Sequence, residues 1–87
     1  MSDSPRILAG MRRSRIIVEV ADLVLKHPDD LNRLRDAVYA KFPPGDDRMQ
    51  ASVTAECLLF MLDELGRAQV EQVRGTHWSK LVAEGAA

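Results

Sequence analysis

The sequence predicts an all-α fold: a small helical hairpin or bundle of three main helices plus a short C-terminal turn, completed by dimerisation. Three observations point there. Apolar residues recur at intervals of three and four along most of the chain, the period of a half-buried helix. Proline and glycine fall at Pro28 and in Phe42-Pro43-Pro44-Gly45, where helices have to stop. Finally, six apolar residues run unbroken from Cys57 to Leu62, enough to cover the whole circumference of a helix that turns ~100° per residue.

The first helix is expected to start at Ser4-Pro5, with serine as cap and proline in the first helical position. Its apolar stripe is Ile7, Leu8, Met11, Ile17, Val20, Ala21 and Val24. The β-branched run Ile16-Ile17-Val18 would suit a strand, but the pattern continues to Leu25 with neither strict alternation nor a turn signal, so helix is the better reading. Lys26 and His27 suit the negative end of the helix dipole, and Pro28 ends it.

A second helix follows directly. Pro28, Asp29 and Asp30 are its first-turn residues, and Leu31, Leu34, Val38 and Phe42 its stripe. Asp29 and Arg33 are expected to pair at i,i+4. The third and longest helix is capped by Asp46 or Asp47 and is predicted to pass through Gly66 as far as Arg74, with Asp63 and Arg67 paired across the glycine. A terminal turn then starts at a Thr76 cap, with Trp78, Leu81 and Val82 as its apolar residues.

Residues 1–87 are read as a single domain. A chain this short buries only about 60–65% of the surface exposed when unfolded. Small folds therefore often depend on disulfides, a metal or a second copy. Cys57 is the only cysteine, which removes an internal disulfide, and it is expected to be a small buried hydrophobe. Helices 1 and 2 can cover about half of the third helix. Leaving the rest in water would cost about 1.5–3 kcal/mol for each large apolar side chain, against a typical stability of about 5–15 kcal/mol. The predicted dimer interface on helix 3 is accordingly Val53, Cys57, Leu58, Met61, Leu62 and Leu65, two-fold dimers being the commonest oligomers.

Chemistry is hard to find in this sequence. His27 and His77 lie at expected helix boundaries, and no spacing links them to Cys57. There is no Cys-x-x-Cys, His-Glu-x-x-His or Glu-x-x-His for a metal. The five glycines are scattered rather than gathered into a phosphate loop. Of the acidic doublets Asp29-Asp30, Asp46-Asp47 and Asp63-Glu64, the first two stand at helix starts, where capping accounts for them. No enzymatic activity, cofactor or metal is expected.

The net charge of −1 favours no class of partner, though its distribution is uneven. Residues 1–18 carry four arginines against one aspartate, and residues 19–66 carry five basic against ten acidic groups. Asp63-Glu64-Leu65-Gly66-Arg67 invites a helix-turn-helix reading with Arg67, Gln69, Gln72 and Arg74 facing bases. The motif wants apolar residues where Arg67 and Gln72 stand. The cluster Arg12, Arg13 and Arg15 would bind phosphates only beside an acidic body that repels them. The leading segment also lacks the apolar core and cleavage site of a signal peptide. The apolar run is far short of the ~20 residues that cross a bilayer. A cytoplasmic protein without membrane contact is expected.

Protein binding remains the best expectation. Trp78, Tyr39 and the arginines Arg12, Arg13 and Arg15 are of the types that dominate interface energies. The sequence therefore predicts a non-enzymatic module that docks on itself and on an unidentified protein. It would act as an adaptor, an inhibitor or an anti-activator of a regulator, like small phage- or bacterium-encoded modulators. A dimeric DNA-binding regulator or accessory is the alternative, and a structural subunit of a larger assembly a further one.

Overall fold

The computed structural model describes residues 5–85, with side chains from residue 8 onward. Four helices account for nearly all of it: α1 (Pro5–Lys26), α2 (Leu31–Lys41), α3 (Asp46–Leu65) and α4 (Arg67–Ala83). The predicted all-α class holds, with four helices in place of three and a turn. The expected Ser4 cap lies outside the described residues.

The difference arises at Gly66. Its φ of 94° and ψ of 171° leave helical space entirely, a conformation that costs little only without a Cβ. Leu58 and Val70 explain the break. On one straight helix they would project about 120° apart, yet both are buried in the same core. Turning at Gly66 swings α4 back along α1, so the predicted Asp63–Arg67 pair does not form. Arg67 pairs instead with Glu71, 2.9 Å away, and reaches the Leu25 carbonyl at the end of α1.

Gly75, expected to end the helix, lies inside α4. Glycine costs a helix interior roughly 1 kcal/mol, less than burial of Val70 and Leu81 on either side returns. Thr76 consequently caps nothing. Its hydroxyl bonds back to the Gln72 carbonyl within α4.

The other boundaries follow local chemistry. Asp30 caps α2 by accepting from the Arg33 amide at 3.1 Å. Arg33 therefore pairs with Asp30, at 3.6 Å, rather than with Asp29. Gly45 stands at the N-cap of α3 with φ 140°, so Asp46 and Asp47 are first-turn residues and not the cap. Arg48 secures the turn: its guanidinium donates to the carbonyls of Phe42 and Tyr39 at the end of α2 and lies 4.6 Å from the Tyr39 ring centre.

Helix α1, like α3, packs on all three others, whereas α2 and α4 do not meet among the described residues. This packing buries the β-branched run of α1 from two sides, through Ile16 and Val18. Ile16, with Val20, Ala21 and Val24, meets Leu34, Val38 and Phe42 of the α2 segment, Ala51, Ala55 and Leu58 of α3, and Val70 of α4. Leu31, predicted to share the α2 stripe, is half exposed, as is Leu8 on α1.

The Cα extents are 44 × 29 × 17 Å. Two layers of helices with axes 8–10 Å apart span about 13–15 Å between outer Cα atoms. The molecule is therefore a two-layer slab, and its radius of gyration of 13.2 Å exceeds the about 12 Å expected of a compact chain this long. In a slab each outer helix is covered on one side only.

Candidate functional site

The uncovered side of α3 carries an apolar stripe. Inward it presents Ala51, Ala55 and Leu58. Outward it presents Met49 at 68%, Val53 at 57% and Phe60 at 68% exposure. These three positions, with the exposed Cys57, fall within about 80° of one another around the helix. Cys57 thus departs from the buried hydrophobe expected of it. The run Cys57–Leu62 divides between two environments: Leu58 is 4% exposed, Leu59, Met61 and Leu62 are partly covered by the core, and Cys57 and Phe60 face out.

The predicted interface set divides in the same way. Val53, Cys57 and Leu65 are at the surface. Leu58 belongs to the chain's own core, and Met61 and Leu62 pack against it. Met49 was missed, and Phe60, which shares a face with Val53 and Cys57, stood outside the predicted set. The signal that would have found them is the angular spacing of residues 49, 53, 57 and 60, read separately from the 51, 55 and 58 spacing.

Beside the stripe, the loop before α2 and the C-terminal half of α3 enclose an open groove of about 900 Å³. Leu31, Leu59, Phe60 and Leu62 supply its apolar surface. Its charged residues are Asp29, Glu56 and Asp63, against Arg67, which is already paired with Glu71. None of the three carboxylates has an ion-pair partner among the described residues. A second, smaller groove continues between α2 and α3, bordered by Leu31, Tyr39, Ser52 and Glu56. Leu31 and Glu56 border both, so the half-exposed Tyr39 belongs to the same face as Phe60.

The remaining predicted contact residues lie elsewhere. Trp78 is half exposed on α4, with the Arg74 guanidinium 5.7 Å from its ring centre. Arg74 is itself paired with Asp22 of α1 at 2.5 Å. Arg12 forms an ion pair with Asp47 of α3. Arg13 borders a groove between α1 and α4, and Arg15 leaves α1 about 160° away from it. The arginines therefore do not form one strip. Of the four residues considered for base contact, Arg67 and Arg74 are engaged in intramolecular pairs and Gln69 is half buried.

One arrangement with possible chemistry is present between α1 and α4. Ser14 Oγ and His77 Nδ1 are 3.0 Å apart, beside a groove of about 340 Å³ that also touches Arg13, Lys80 and Glu84. Burial, then the nearby Lys80 charge, lower the His77 pKa, which favours the neutral ring. A nucleophile and a base at this distance resemble a hydrolytic pair. Ser14 is 5% exposed and lies within a continuous helix. The contact works as a polar tie between two helices. Among the described residues no group of three His, Cys, Asp or Glu side chains is placed to hold a metal. No helix among the described residues is long and apolar enough to cross a membrane. No protein-family model, curated protein or solved structure matches the chain.

Proposed function

We propose that this chain is a non-enzymatic protein-binding module that docks through the outward face of α3 and the adjoining edge of α2. It would act as an adaptor, an inhibitor or an anti-activator of a regulator. The observation that carries this reading is the exposure of Met49, Val53 and Phe60 on one side of a single helix, with Leu31 and Tyr39 beside them. Burying a large apolar side chain fully contributes about 1.5–3 kcal/mol, so these residues together hold enough unspent burial to support a specific contact. An aromatic near the centre of such a patch is a typical energetic anchor. Phe60 and Tyr39 fill that role here. Of the arginines favoured by the sequence, Arg12 is engaged with Asp47.

The reading is tested by photo-crosslinking in the cells that make the protein, with the crosslinker placed at position 53 or 60, or at Ser79 on α4 as a control. Discrete adducts from 53 and 60, absent from Ser79 and lost with Phe60→Asp, are expected. An adduct at twice the chain mass would identify the bound protein as a second copy. Adduct patterns that do not distinguish Ser79 from the α3 positions would overturn the proposal.

A further inference from the structure

We infer that the groove bordered by Leu31, Leu59 and Phe60, with Asp29, Glu56 and Asp63 at its edges, receives a cationic amphipathic helix of a partner protein. This rests on the docking role proposed above and specifies the occupant. The argument is one of charge and shape. Three carboxylates with no ion-pair partner among the described residues stand around an apolar surface, and the one cation there, Arg67, is held by Glu71. Phe60 joins this groove to the exposed stripe of α3, which extends about 16 Å from Met49. A helix lying in the groove would place apolar residues on Phe60 and Leu31 and lysine or arginine against the acidic edges.

The acidic groups at the two ends of α3 weigh against a second copy of the chain. Two α3 helices paired antiparallel about the middle of the stripe would bring Met49 against Phe60 and Val53 against Cys57. They would also set Asp46 of each copy opposite Asp63 and Glu64 of the other. Like charges face each other at both ends of that arrangement, and juxtaposed like charges select against a partner. A basic helix meets no such conflict.

Three synthetic peptides of about 18 residues test the inference, the length being about five helical turns. One carries a leucine face and a lysine-arginine face, one carries the same leucines with glutamates, and one scrambles the cationic sequence. Binding is followed by fluorescence anisotropy. The cationic amphipathic peptide should bind at least about 10-fold more tightly than either control and weaken several-fold as salt rises from about 50 to about 500 mM. Combined Glu56→Gln and Asp63→Asn changes should weaken it about 5–10-fold, while Asp36→Asn on α2, outside the groove, leaves it unchanged. Equal binding of the cationic and acidic peptides would overturn the charge inference and leave the docking reading standing. Equal binding of the scrambled peptide would reduce the effect to general attraction between acidic protein and basic peptide, and overturn it too. Binding of no peptide by a chain that light scattering finds dimeric, and monomeric with Val53→Asp, would assign the face to a second copy. Binding of no peptide by a monomer would remove the inference and count against the docking reading itself.

Discussion

The hydroxyl of Ser14 on α1 and Nδ1 of His77 on α4 lie 3.0 Å apart and join the two helices by a hydrogen bond. Ser14 is buried and Leu81 is buried one helical turn beyond His77, so the bond sits at the edge of an apolar contact. Arg13, Lys80 and Glu84 are the charged groups that face it.

His77 ties stability to pH. Burial, with Lys80 adding to it, lowers the His77 pKa in the folded state below its ordinary value of 6.5. The unfolded chain therefore takes up a proton at higher pH than the folded one. Stability from this group is complete above about pH 6.5 and declines as pH falls toward the folded-state value. Thermal unfolding at pH 7.5 and pH 5.5 should show a lower Tm at pH 5.5, and His77→Gln should flatten that difference. An unchanged difference in the variant would assign it to another group.

Two glycines should respond oppositely to the same substitution. At Gly66, φ is 94° and an added Cβ meets nothing within 4 Å. The cost of Gly66→Ala is then conformational, about 1–2 kcal/mol. At Gly75, inside α4, an added Cβ likewise meets nothing, and Gly75→Ala should gain about 0.5–1 kcal/mol. Urea midpoints moving apart from wild type in these two directions would be the expected result.

Neighbours on α3 should also separate. Leu58→Ala empties a position in the chain's own core and should cost about 2–5 kcal/mol. Phe60→Ala removes a side chain that is 68% exposed and should change unfolding free energy by no more than about 0.5 kcal/mol. A large loss for Phe60→Ala in dilute solution would mean that Phe60 is covered there, most simply by another copy of the chain.

The exposed thiol of Cys57 provides a reporter. It should react with a thiol reagent in the folded protein about as completely as in urea, without the delay that local unfolding imposes on a buried cysteine. Slow labelling of the native chain would contradict the outward placement of this side of α3.

Where helices stop was largely legible because the signals are local. Pro28 ends α1, Asp30 offers an N-cap oxygen, and Pro43-Pro44-Gly45 cannot continue α2. Gly66 and Gly75 mark where legibility failed. Both interrupt apolar-periodic stretches, and nothing in their immediate neighbours says that one breaks a helix and the other does not. The decision came from Val70, which has to reach α1, and from Leu81, which keeps the end of α4 on it.

The candidate site was half legible for a related reason. The sequence by itself determined an all-helical chain with one disproportionately apolar helix, because hydrophobic periodicity and backbone-breaking residues act within a few positions. It also supplied Leu58 and Phe60 as neighbours of similar apolar character. Only the tertiary structure decided that Leu58 closes the core while Phe60 faces out, because a two-layer packing covers one side of α3 and leaves the other. Which side is covered depends on where α1 and α2 come to rest, and that is set by the combined burial of residues far apart in the chain.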